Sequence, residues 1–255
     1  MNGAFEIGGV GLASQSQALD IIANNIANLN TPSFKRSDVQ FAEILAQRGD
    51  AANPSTALGA QPYGAGVSAH SFLALSDQGE IEHTGVQLDL AIEGQGFVEL
   101  LGPGGEPLLW RGGRLSVRDD GMLATADGIA LRASINVPRE ARAIEIAGDG
   151  AVRARIGESD AIDLGRINLV RLENDAGIER RNGGLYRPAD TARLIEAPSG
   201  EDGMGVLVQG AVEKSNVDLN SEMVRLMIVQ RAYAANAQIV QAADQMMAVA
   251  NGLRR

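Results

Sequence analysis

Cysteine is absent from the 255 residues. That excludes disulfides, thiol nucleophiles and Cys-based zinc sites together. It also suits a chain that must stay free of cross-links while unfolded. Aromatic residues make up only 4% of the chain, so its cores must be thin, and histidine occurs twice. His70 and His83 lie outside any HExxH pattern and read as surface or structural residues. No run approaches the roughly 18 apolar residues that a membrane crossing needs. The opening MNGAFEIGGVGLASQ lacks a basic n-region and an apolar h-region, so no cleaved signal peptide and no transmembrane segment are expected. On these grounds alone the chain reads as cytosolic. Positive charge is in deficit as well. The net charge is -10, and since residues 1–50 contribute -2 and residues 214–255 contribute +2, the whole excess lies in residues 51–213. An acidic middle argues against a nucleic-acid partner, because phosphates need Lys/Arg patches.

Motifs that would carry chemistry are missing too. The GQG at 94–96 fails as a dinucleotide loop because residue 99 is Glu. The GPGGE at 102–106 lacks the Lys-Ser/Thr ending of a phosphate loop. Asp119, Asp120 and Asp127 lack calcium-loop spacing, and Ser14, Ser16 and Ser199 lack a GxSxG context. No catalytic, cofactor-binding or metal-binding residue is therefore expected, and no cofactor.

What the chain does have is two terminal helical patterns around a glycine-rich middle. Residues 4–29 read as a helix. Leu12, Leu19, Ile22, Ile26 and Leu29 recur at spacings of seven, three and four, an a/d seam. Asn24, Asn25 and Asn28 suit a helix end, where amides bond backbone groups, and Pro32 stops the helix. At the other end, Asp218 is a plausible N-cap and Glu222 sits near the positive end of the dipole. Met223, Leu226, Tyr233, Ala237, Val240 and Met247 give a second seam on a helix of about 35 residues, roughly 50 Å long. The economical arrangement packs the two helices together as a coiled coil, with Leu12, Leu19, Ile22 and Ile26 meeting Met223, Leu226, Tyr233 and Val240.

Between them, short apolar runs at 88–93, 97–101, 107–110, 114–118, 122–125, 129–132, 144–148, 151–156 and 165–172 alternate with turns such as Asp120-Gly121, Asp127-Gly128 and Asp149-Gly150. The spacing predicts an antiparallel β domain, with Trp110 as a core anchor. The expected class is α+β. The expected domains are an N-terminal helix over 1–32, an extended linker or inter-subunit segment over 33–80 and a central β domain over 81–195. A return linker over 196–213 and a C-terminal helix over 214–255 complete the chain.

Three stretches carry a resemblance. ANNIANLNTPSFKR (23–36), LDLAIEGQGFVEL (88–100) and VEKSNVDLNSEMVRLMIVQRAYAANAQIVQAADQMM (212–247) resemble, in that order, signatures of the bacterial flagellar axial proteins, the rod and hook subunits. The length suits a rod subunit better than a hook subunit. LVRLENDAGIERRNGGLYR (169–187) and APSG (197–200) are most similar to the distal-rod branch, with the proximal-rod branch next. One departure is Ser33, where the family usually has Gly. If that position requires positive φ, Ser costs about 1 kcal/mol.

The resemblance implies a structural subunit of the basal-body rod that polymerises into a tubular shaft and transmits torque to the hook. It implies copies of itself, other rod subunits, hook subunits, the surrounding basal-body rings and the flagellar type III export apparatus as partners. It also implies a periplasm-spanning location, reached without a cleaved signal, which overrides the cytosolic reading. The residues expected to serve subunit packing are Leu12, Leu19, Ile22, Asn24, Asn25, Ile26, Asn28, Thr31, Pro32, Phe34, Met223, Leu226, Tyr233, Val240 and Met247. The alternatives are a hook or proximal-rod subunit, a glycan-binding β-domain protein dimerised by its helices, and a hydrolase using paired carboxylates in the middle domain.

Overall fold

Alanines and leucines at helical spacing carry the N-terminus into α1 (Asn2–Ala27). It ends two residues before the expected Leu29. Asn28, Asn30 and Pro32 favour turns, and the Thr31 and Phe34 amides close successive turns onto the carbonyls of Asn28 and Thr31. The computed structural model describes residues 2–46, 63–157, 161–173 and 177–252. They fall into two units.

The first unit contains α1, β1 (Ser37–Ala46), β2 (Tyr63–Leu73) and the C-terminal helix, Leu219–Gly252. Where composition suggests an extended linker, β1 and β2 pair antiparallel from Ser37↔Leu73 to Ala46↔Tyr63, with a register shift between Ile44 and Leu45. The β-branched and aromatic Val39, Phe41, Ile44, Val67 and Phe72 suit strands here, and the Gly/Ala/Pro/Ser-rich composition between them masks the signal. The centre of that expected linker, 47–62, lies outside the described residues. The C-terminal helix, α2, starts where Asp218 caps it. The Asp218 carboxylate accepts the amides of Asn220 at 3.3 Å and Ser221 at 3.1 Å. The Ser221 hydroxyl also donates to it, which holds this carboxyl below its ordinary pKa.

Helices α1 and α2 pack along one another, and the expected seams share Ile22 and Val240 with the inner lines. The buried line on α1 is Gly8, Gly11, Ser14, Ala18, Ile22 and Asn25, at spacings of three and four. A Cβ at Gly8 would stand 2.7 Å from Val240 Cγ2, and one at Gly11 would stand 2.9 Å from Asn236 Nδ2. The small residues are therefore the contact, and they let the backbones approach. Leu12, Leu19 and Ile26 lie half-buried beside this line. On α2 the inner positions are Glu222, Val229, Ala232, Asn236, Val240 and Ala243. Met223 and Tyr233, expected to face α1, are 46% and 40% exposed, while Leu226, Val240 and Met247 are half-buried. A heptad reading by hydrophobicity alone includes Val240 but passes over Glu222, Ala232, Asn236 and Ala243, because these inner positions are polar or small.

The second unit, residues 28–36 and 74–217, is antiparallel β throughout its described pairs. In chain order its strands are β3 (Ile81–His83), β4 (Asp89–Glu93), β5 (Phe97–Leu101), β6 (Pro107–Trp110), β7 (Gly112–Val117), β8 (Leu123–Thr125), β9 (Ala143–Ile146) and β10 (Ala151–Arg155). There follow β11 (Ala161–Arg166), β12 (Asn168–Leu172), β13 (Ile178–Arg181), β14 (Leu185–Pro188), β15 (Leu194–Pro198), β16 (Val206–Gln209) and β17 (Ala211–Glu213). The six-stranded sheet runs β13-β14-β6-β5-β12-β15, and smaller sheets run β16-β4-β7-β8, β11-β10-β9 and β17-β3.

Near-continuous apolar runs make β4 and β5 buried on both faces, whereas β9 and β10 alternate. Leu90, Ile92, Leu100, Trp110, Leu123 and Val152 lie in the shared core. The run expected at 129–132 makes only single bridges, Ala130 to Ala124 and Leu131 to Leu100. The expected return linker over 196–213 contains β16 and β17 and the end of β15. Gly121, Gly128 and Gly150 take positive φ in the three Asp-Gly turns, as turn chemistry requires.

Candidate assembly surfaces

The asparagine-rich end of α1 does two separate things, one in each unit. In the helical unit Asn25 is 1% exposed. Its Nδ2 donates to the Ser37 carbonyl at 2.8 Å, and its Oδ1 accepts the Ser37 amide at 2.9 Å. One side chain thus bonds both backbone polar groups of the first residue of β1. Nδ2 also lies 3.3 Å from Glu222 Oε2 on α2. Arg225 extends the network, with Nη1 2.5 Å from Asp38 Oδ1 and 3.4 Å from Glu222 Oε1. Ser14 adds a bond from its hydroxyl to the Val67 carbonyl at 2.6 Å, fixing β2 to α1. These polar groups set register in a seam of small residues that offers little shape to do so. Asn24 is exposed, and Asn28 accepts the Thr31 hydroxyl at 3.1 Å.

In the β unit the segment after α1 is buried as a strip. Ser33 has φ +58 and is 1% exposed. Its amide donates to the Glu213 carbonyl at 2.7 Å and its hydroxyl to the Gly112 carbonyl at 3.0 Å. The left-handed conformation suspected from the sequence is present, and the hydroxyl supplies a bond that glycine cannot make. Phe34 is buried with the Arg180 guanidinium 4.1 Å over its ring. Pro32 is exposed at the turn.

Lys35 is fully buried. Its Nζ donates to Glu213 Oε1 at 2.6 Å and to the Asp77 carbonyl at 2.7 Å. Arg111 Nε donates to the other oxygen of Glu213 at 2.8 Å, and its Nη1 to the Gly96 carbonyl at 2.5 Å. Burial, then the neighbouring Arg111, pushes the Lys35 amine below its ordinary pKa, against the pull of Glu213. Asn216 completes the clasp by accepting the Arg36 amide at 2.7 Å and donating to the carbonyls of Ala74 and Asp77. FKR near one end of the chain and VEKSN near the other are therefore two halves of one buried lock. Lys35, Arg111, Glu213 and Asn216 were not expected as functional residues. The signal lay in the opposite charges within two stretches already singled out.

One face of α2 is apolar and exposed among the described residues. Val224, Ile228, Ile239, Met246 and Val249 are 51–64% exposed. With Ala235 and Ala242 they fall at spacings of four, seven, four, three, four and three. That is a second helical seam, exposed and flanking the inner positions. Among the described residues no helix is long and apolar enough to cross a membrane. No cluster of three or more metal-ligating side chains occurs among them either.

Three family models match along the chain: a flagella basal body rod protein model at 5–35, the flagellar hook protein FlgE/F/G D1 domain at 91–154 and the flagellar basal body rod FlgEFG protein C-terminal model at 208–253. The flagellar basal-body rod protein FlgG of Caulobacter vibrioides is 36% identical over 254 residues, covering 96% of both chains. FlgG of Borreliella burgdorferi is 34% identical over 254 residues with the same coverage. The rod protein FlgF of Caulobacter vibrioides is 33% identical over 243 residues, covering 91% of this chain and 90% of its own. The chain belongs to the family of flagellar basal-body rod proteins, structural proteins and not enzymes.

Proposed function

We propose that this chain is a building block of the distal part of the flagellar rod, polymerising into a tubular shaft that carries motor torque to the hook. The observation that carries the reading is the outward seam of α2. A soluble monomer seldom leaves such a stripe in water, whereas a subunit whose helices pack on neighbouring copies requires one. α1 and α2 pair as a coiled-coil-like element through their small-residue face, and the outward seam engages the helices of adjacent subunits. Copies of this chain, other rod subunits and hook subunits are its axial partners. The surrounding rings enclose the shaft across the periplasm, and the flagellar export apparatus delivers the chain without a cleaved signal. The absence of cysteine fits such a route. The resemblance of 169–187 and 197–200 to the distal branch, together with the higher identity and coverage to the FlgG than to the FlgF of Caulobacter vibrioides, favours a distal over a proximal position.

Complementation tests the reading. The full-length chain is expressed in a flagellated bacterium that encodes it and lacks its chromosomal copy, beside a version lacking residues 2–27. The full chain restores rods and motility and the truncated one does not. Rods and swimming restored by the truncated chain would refute it.

A further inference from the structure

Beside the buried lock, the β unit contains a cavity of about 60 Å³ lined by Gln95, Gly96, Phe97, Arg111 and Arg171, with Ser76 at its edge. Gln95 and Ser76 are exposed, so the cavity is reachable from solvent. The Arg171 Nε is buried, with no hydrogen-bond partner, and among the described residues Arg171 has no ion pair. A buried guanidinium N–H left unsatisfied is costly, and such a group marks a missing water or ion. Charge decides between the two. Glu213 is bonded to both Lys35 and Arg111, so one carboxylate serves two cations before Arg171 is counted. A water would satisfy the N–H and leave the surplus positive charge where it is. An anion would satisfy both.

We infer that this niche is a carboxylate-binding site, with Arg171 as its donor and with Arg111, whose N–H groups already serve Glu213 and the carbonyls of Gly96, Gly94 and Ile92, adding positive charge to the wall. Planar guanidinium donors match a carboxylate in shape as well as charge. The volume admits a group of that size, or a pair of waters at roughly 30 Å³ each, and excludes a nucleotide or a sugar. The carboxylate is either a small free anion or an Asp or Glu side chain of a second copy. The acidic surface of this chain, at net charge -10, offers many such side chains. The inference does not rest on the rod reading.

The test uses the full chain and sodium acetate, with sodium chloride at equal ionic strength as reference. Acetate raises the melting temperature saturably, by about 3 °C at tenfold over its dissociation constant, and chloride does not. Arg171→Gln abolishes that response, while Arg139→Gln, remote from the niche, retains it. If Arg171→Gln fails to fold, Arg171→Lys keeps the charge but loses the fork and weakens apparent acetate affinity at least tenfold. Sedimentation velocity then separates the two sources. Self-association weakened by Arg171→Gln, and by acetate in the unsubstituted chain, identifies a side chain of a second copy. Unchanged self-association identifies a free carboxylate. An acetate response no larger than that of chloride, or one that survives Arg171→Gln, overturns the proposal and leaves a niche that holds only water.

Discussion

Substitutions at Ser33 separate two opposing terms at one residue. The backbone there is left-handed at φ +58, which costs a residue bearing a Cβ about 1–2 kcal/mol relative to glycine. Against this, the Ser33 hydroxyl donates to the Gly112 carbonyl at 3.0 Å in a buried setting, a bond worth about 0.5–1.5 kcal/mol. Ser33→Gly relieves the first and forfeits the second, so its stability stays within about 1 kcal/mol of the parent. Ser33→Ala keeps the strain and loses the bond, so it is less stable by about 1 kcal/mol. Ser33→Val adds a branched Cβ in a conformation it tolerates poorly and loses more, about 2–3 kcal/mol. Urea unfolding of the full-length variants, followed by fluorescence of Trp110 in the β core, reads these differences. The decisive comparison is Gly against Ala, because neither has a hydroxyl and only the backbone term remains. Ser33→Gly no more stable than Ser33→Ala would refute a positive φ at this position.

Three further outcomes follow from the same contacts. Glu213→Gln leaves Lys35 and Arg111 buried without their shared counter-charge and destabilises the β unit by about 3–5 kcal/mol in urea unfolding. Asn25→Leu strands the amide and carbonyl of Ser37, and at about 1–3 kcal/mol per group it loosens the helical unit while leaving the Trp110 signal intact. Hydrogen exchange at Ser37 and Asp38 reports that loosening. Asp89 accepts hydrogen bonds from Arg114 at 2.9 Å and Thr84 at 2.7 Å, and the Arg114 bond first of all holds its carboxyl below the ordinary 3.8. Its contribution to stability is therefore full above about pH 3.8 and is lost as pH falls through the depressed folded value. Asp89→Asn flattens that acid limb of a stability-against-pH curve, and an unchanged limb would count against the assignment.

The sequence was most legible where local chemistry and tertiary demand agree. Apolar runs bounded by glycine-rich turns match β4, β5 and β6 almost to the residue, because a strand buried on both faces has little freedom in composition, and Asp149-Gly150 marks the start of β10. Asp218 marks the start of α2 by a rule that acts within a few residues, whereas the left-handed backbone at Ser33 is signalled by the glycine usual in the family at that position and not by local chemistry. Legibility failed where the partner is distant or the contact is made of small groups. The inner face of α1 is Gly8, Gly11, Ser14 and Ala18, residues that a search for large hydrophobics passes over. The hairpin of β1 and β2 hid in a glycine- and alanine-rich stretch. The Lys35–Glu213–Arg111 lock joins positions far apart in the chain, and only the fold brings them together.

The outward seam of α2 is the central claim, and paired charge substitution tests it most directly. Ile239 and Met246 are 52% and 57% exposed in the single chain, so Ile239→Glu with Met246→Glu leaves the monomer folded by circular dichroism and urea unfolding. In a host lacking its own copy, the doubly substituted chain yields no rods visible by electron microscopy of isolated basal bodies. Rods of normal number and length from that same variant would contradict the account.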